Sequence, residues 1–224
     1  GMSASGAGTA TGVSAELAGD VVSARVDAVQ GEDLAGSVEG KGQGSAASMS
    51  ARALAIDGDL SARSAELEVA EASAVGVEGE AADGSTIAAG AVSVGHVEAG
   101  GTLDEQHVDL GSMRATDAAL GLGSGERVAA EALTATDLAA TSGADGASFS
   151  VAAGRADGVS AAGHGAELAA DQVAVDGVSG STGPAGSRIE VDRASASGAA
   201  VSLASGRATA AQISADGLAA STGT

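Results

Sequence analysis

Three histidines, His96, His107 and His164, are the side chains of this chain whose ordinary charge change falls near neutral pH. Beside an acid, any of them would make a proton-transfer base or a metal ligand. Their spacing points elsewhere. In the repeat frame laid out below, His96 falls at a corner. His107 and His164 fall near a glycine-rich connection, nearly three repeats apart. All three are read as surface residues. There is no cysteine, which removes thiolate nucleophiles, disulfides and thiolate metal sites. Serines are many, but none sits in a Gly-x-Ser-x-Gly elbow with a histidine and an acid in place. Gly121-Leu-Gly123 and Gly123-Ser-Gly125 lack the following helix that a phosphate cradle needs, and read as turns. One column of acids remains: Asp57-Gly58, Asp157-Gly158, Asp176-Gly177 and Asp216-Gly217. Asp157 and Asp176 are expected as stacked neighbours about 4.8 Å apart. A hard cation such as Ca²⁺ wants six to eight oxygens, and a single Asp ladder supplies too few. The column is therefore read as turn chemistry, since Gly accepts positive φ and Asp can bond its own turn backbone. No catalytic, cofactor-binding or metal-ligating residue is assigned, and the chain is read as not an enzyme.

The elements that carry these residues follow a five-residue beat. Large apolar residues recur at Val108, Met113, Val128, Leu133 and Leu138, and again at Val173 and Val178 and at Ile213 and Leu218. Two places after each beat stands a small or apolar residue, as at Ala130, Ala135, Val175 and Ala215. Alanine is common and favours helix. The beat does not: five residues on a helix advance by about 140°, so no apolar stripe forms. In an extended segment, beat and beat-plus-two share one face. The 36 glycines also disfavour helix. A short helix within Ala65–Ala74 is the one competing assignment.

Four beats make a unit of about twenty residues, and Leu67, Ile87, Val108, Val128, Phe149, Leu168, Ile189 and Ala208 open successive units. Self-similarity at this period is the signature of a solenoid. Three sides of each unit read as short strands. The fourth, at Ala82, Gly123, Gly143, Gly183 and Ala204, reads as a connection. Asp157-Gly158, Asp176-Gly177, Ser197-Gly198 and Asp216-Gly217 mark the corner between second and third sides, as do Thr116-Asp117 and Thr136-Asp137. The expected fold is all-β: a single right-handed parallel β-helix, or β-solenoid, with about twenty residues per coil. Residues 1–28 are expected as an irregular N-terminal coil or cap, and residues 29–224 as the solenoid repeats.

The net charge of −20, with Lys41 the one lysine, disfavours nucleic acid and anionic membrane surfaces as partners. Acids are expected at outward positions: Glu68, Glu78, Asp109, Glu131, Asp171 and Glu190. No apolar run reaches the length of a membrane-spanning helix, and the start lacks a basic segment followed by an apolar one. Phe149 is the one aromatic residue, so any core is narrow.

Pentads such as Val128-Ala-Ala130, Leu133-Thr-Ala135 and Ala135-Thr-Asp137-Leu138 resemble those of pentapeptide-repeat proteins, with the large and small residues in reversed order. That resemblance implies a quadrilateral β-helix. Some acidic members mimic DNA and bind gyrase. Val92-Ser-Val94 and Val173-Ala-Val175-Asp-Gly-Val178 are similar to stretches of bactofilin-type polymer-forming proteins, which implies a three-sided coil. The function expected is a non-catalytic structural or scaffold protein, surface or filament-forming. It would self-associate end to end as a homo-oligomer through residues 208–224. The alternative is an acidic module for a basic protein partner, including DNA-mimic inhibition of a DNA-handling enzyme. No cofactor is expected.

Overall fold

Every regular element of this computed structural model is a strand. It describes residues 2–222 apart from 103, 185 and 204. Two short strands, β1 (Met2–Thr11) and β2 (Ser14–Ala18), precede ten long ones. These are β3 (Val21–Val38), β4 (Gly42–Asp59), β5 (Ser64–Ala81), β6 (Thr86–Gly101) and β7 (Glu105–Gly121). Then follow β8 (Arg127–Gly143), β9 (Gly146–Gly163), β10 (Ala166–Gly183), β11 (Gly186–Leu203) and β12 (Gly206–Thr222). Strands β3 to β12 lie in chain order in one open sheet, and β1 and β2 both pair with β3. Within the stretch 1–28, expected as an irregular coil or cap, residues 2–11 and 14–18 run as strands along the sheet, and position 28 falls inside β3.

The all-β expectation holds, and Ala65–Ala74 lies within a strand. The parallel β-helix does not describe this sheet. Every neighbouring pair among β3 to β12 is antiparallel. Parallel neighbours need a long return path, whereas antiparallel ones need only a tight turn. The glycine-rich fourth sides supply tight turns. Between β9 and β10 only His164 and Gly165 intervene, with φ of 51° and 76°. Two left-handed residues in a row make the hairpin turn whose twist suits antiparallel strands. Gly123, Gly143 and Gly183 likewise stand in or beside hairpin connections, while Ala204 lies outside the described residues. The twenty-residue unit is one strand plus one turn.

The corner column is real, and it lies inside the strands. Asp117, Asp137, Gly158, Gly177, Gly198 and Gly217 all have φ between 50° and 64°. Gly58 has no such conformation; in β4 Ala53 has it instead, at 50°. Each of these residues interrupts the ladder with its neighbours, as Gly177 does between Asp176↔Arg193 and Val178↔Val191. A left-handed residue within a strand bends it locally. Asp33, Gly76, Asp117, Gly158 and Gly198 form one line of kinks on alternate strands. Ala53, His96, Asp137, Gly177 and Gly217 form a second line on the strands between. Opposite each kink stands a residue of ordinary φ: Asp171 faces Gly158 and Gly198, and Asp192 faces Gly177 and Gly217. The two lines cut every long strand into three short segments, which is the physical meaning of the beat. Leu168 and Ala170 belong to one segment, Val173 and Val175 to the next, Val178 and Gly180 to the third.

Candidate interaction faces

Residues directly opposite one another in a sheet share a face, and so do residues two apart within a segment. The strand register from β3 to β12 therefore sorts the side chains. One row reads Val26, Leu54, Val69, Val97, Leu110, Leu138, Val151, Val178, Val191, Leu218. It is an unbroken ridge of Val and Leu across ten strands. Beside it runs Ala24, Ile56, Leu67, Ala99, Val108, Ala140, Phe149, Gly180, Ile189, Ala220, in which small residues break up the large ones. The middle segment contributes the rows through Met49, Val92, Leu133, Val173 and Ile213 and through Val94, Met113 and Val175. The far segment contributes Ile87, Leu120, Val128 and Leu168. None of these five rows contains a polar side chain on any of the ten strands. A Cβ placed on Gly31, in the middle segment, would stand 3.1 Å from the Leu34 side chain beyond the kink at Asp33. That kink therefore leaves both segments' apolar residues on one side.

Among the described residues no second layer covers this face. The buried hydrophobic residues, Val69, Ala89, Ala115, Ala130, Ala135, Ala170 and Ala199, are mostly alanines sheltered by larger neighbours in the same sheet. The large residues stay open: Ile87 is 57% exposed, Ile189 49% and Phe149 43%.

The opposite face is polar. Its middle row reads Ser50, Ser73, Ser93, Arg114, Thr134, Arg155, Ala174, Ser195, Ser214. Ser50 and Ser73 hydroxyls are hydrogen-bonded at 2.8 Å. Glu68 stands opposite Glu98, and Glu98 opposite Asp109; Glu66 stands opposite Asp57. Like charges facing each other destabilise a ladder, so this acidic patch costs the isolated sheet something. Glu78 and Glu190 fall on the same face, while Glu131 and Asp171 sit in a kink line. Compensation is thin and exposed. Arg155 pairs with Asp157 at 3.0 Å, Arg25 with Asp57 at 3.5 Å and Arg193 with Asp216 at 3.2 Å. Exposed pairs of this kind contribute little.

The residues singled out for chemistry do not converge. Asp157 is opposite Gln172 and Asp176 opposite Ala153, so the expected stacking of the two acids is not found. Reversal of alternate strands places them on opposite sides of the middle segment. The Asp157 carboxyl is held below its usual range first by the Arg155 guanidinium and then by the Gln172 amide. His96 is itself a kink, with φ 51°. His164 sits in a turn, with Nδ1 3.0 Å from Glu126. Hydrogen bonding from the Ser124 hydroxyl is the first cause that lowers the Glu126 carboxyl. Asp59 and Asp83 are lowered by the turns they cap. The Ser61 hydroxyl, which donates to Asp59 at 2.6 Å, is the first cause there, followed by the Ala62 N–H at 2.9 Å; for Asp83 it is the Ser85 N–H at 2.9 Å. Among the described residues no three His, Asp or Glu side chains gather as a metal-binding group.

The continuous ridge is the feature that the repeat frame misses. Its signal is a forty-residue alternation. At beat-plus-two of the opening pentad, Val69, Leu110, Val151 and Val191 alternate with Ala89, Ala130, Ala170 and Ala210. Stacked coils would set Val69 over Ala89. Reversed strands set it beside Leu54 and Val97. No protein-family model matches the chain, and no curated protein is similar to it.

Proposed function

We propose that this chain is a non-catalytic structural protein that self-associates by extending its sheet. The observation behind this reading is strand β12, which among the described residues pairs with β11 alone. An open edge is a template for another strand, and this edge is complementary to itself. Antiparallel pairing of two β12 strands about Ser214 sets Ala211 opposite Gly217 of the second copy. A kink then faces a residue of ordinary φ, as it does at Asp171 and Asp192. The same register sets Ile213 against Ala215 and Leu218 against Ala210 of the second copy, large against small. Such an association is tail to tail, through residues 208–222. Ser214 lies on the polar face, so Ser214→Lys leaves the apolar rows intact and sets two ammonium groups opposite each other at the two-fold axis. Sedimentation equilibrium should show the variant with half the mass of the parent chain at about 100 μM. An unchanged mass contradicts pairing through β12.

The acidic row Glu68, Glu98 and Asp109 supports a second reading, a module for a basic protein partner. Salt-sensitive binding to a topoisomerase or another DNA-handling enzyme would promote it.

A further inference from the structure

We propose that the apolar face is covered by the same face of a second copy, giving a two-layer sandwich with both acidic faces outward. This rests on the self-association reading for the identity of the partner, but it uses a different surface from β12.

Three observations select a second copy. The first is area. The chain exposes 13,646 Å² at 20.7 kDa. A compact monomer of that mass exposes about 8,900 Å². The excess is roughly 4,700 Å². If two copies each cover half of their excess, the total lies near the upper end of obligate homodimer interfaces, about 2,000–5,000 Å². The second is chemistry. The five rows offer no hydrogen-bonding side chain and no charge on any of ten strands, so a polar or charged partner finds nothing to pair with. The matching surface available is another copy's apolar face. Two sheets at the usual spacing of about 10 Å keep the outward acids roughly 20 Å apart, beyond a Debye length of about 8 Å. The net charge of −20 per chain therefore does not forbid the contact. The third is relief. The ridge Val69–Val97–Leu110–Leu138 stands next to the row Leu67–Ala99–Val108–Ala140–Phe149–Gly180, whose small residues leave gaps between large ones. Ridges beside gaps are what two inner sheet faces interdigitate.

The test uses Ala140→Lys in the Ser214→Lys background. Ala140 is exposed in the single sheet, so the lysine is tolerated by the monomer. In the sandwich it places an unpaired charge between two apolar layers. Ala139→Lys, on the polar face opposite Asp109, is the control. Sedimentation equilibrium and small-angle scattering are run on all three chains. The expected result is a dimer about two sheets thick for Ser214→Lys alone and for the Ala139→Lys double variant. For the Ala140→Lys double variant the dissociation constant should rise about a hundredfold or more. A β-type circular dichroism spectrum in every variant excludes unfolding. If Ser214→Lys alone is a monomer one sheet thick, or if Ala140→Lys leaves the dimer intact, the sandwich is wrong. Monomers that bind phosphatidylcholine vesicles overturn it in favour of a lipid-covered face. Failure of the β12 reading is separate: it shows as no change in mass between the parent chain and Ser214→Lys.

Discussion

At the scale of single residues, the alternation of faces is the most testable feature. Val173 lies in an apolar row between Ala156 and Ala196, and Ala174 in the polar row between Arg155 and Ser195. Val173→Asp sets a carboxylate among apolar neighbours, which burial penalises. Ala174→Asp sets one on the half-buried polar face, opposite Arg155 and Ser195, where a cation and a hydroxyl can meet it and the change should stay within about 0.5 kcal/mol. Thermal melts should show Val173→Asp as the far more destabilised variant. Equal melting would mean that the faces are assigned wrongly by one residue. This assignment was legible in the sequence, because a valine every five residues with an apolar residue two later fits one face of an extended segment and no face of a helix. The roles of individual acids were not legible. Whether Asp157 meets Asp176 or Gln172 depends on strand direction.

At the scale of the element, the left-handed kinks make a pentad pattern compatible with a strand. Without them, Val173 and Val178, five apart, would point to opposite faces. Gly177 adopts φ 60°, and a Cβ built there would lie 2.1 Å from an Asp192 carboxylate oxygen. Gly177→Val therefore meets both a disallowed backbone conformation for a β-branched residue and a collision. Denaturant unfolding should place it about 2 kcal/mol or more below the parent. Gly36→Val is the comparison. Gly36 has no positive φ, and its added Cβ meets nothing nearer than 3.6 Å, so little change is expected. Similar losses for both would remove the kink from the account. The column of Asp-Gly and Thr-Asp pairs announced these kinks, since glycine and aspartate are the residues that tolerate positive φ most readily. His96 was placed at a corner by the repeat frame and not by its residue type, whereas Ala53 carries no such announcement, and its conformation follows from the line of kinks that it continues.

At the scale of the molecule, direction was the missing information. The positions 168, 170, 173, 175, 178 and 180 read the same from either end. An apolar pattern of that symmetry serves a stacked coil and a reversed strand equally well. What separates them is the alternation of Val69, Leu110, Val151 and Val191 with alanines one unit away, which makes a continuous ridge only when neighbouring strands are antiparallel. The short turns agree, with two residues between β9 and β10. The antiparallel sheet is the claim on which both faces and the β12 edge depend. It is tested directly by a spin-label distance between Ala88→Cys and Asp109→Cys, in a chain that otherwise has no cysteine. In the sheet, Ala88 is opposite Ala119, and Asp109 is opposite Glu98, ten residues further along β6. Ten strand residues span roughly 33 Å, so pulsed electron resonance should read a distance of about 25–35 Å. Stacked coils of about twenty residues would bring the same two positions to neighbouring coils, a strand spacing of about 5 Å apart, and a label distance under about 15 Å would contradict the antiparallel sheet.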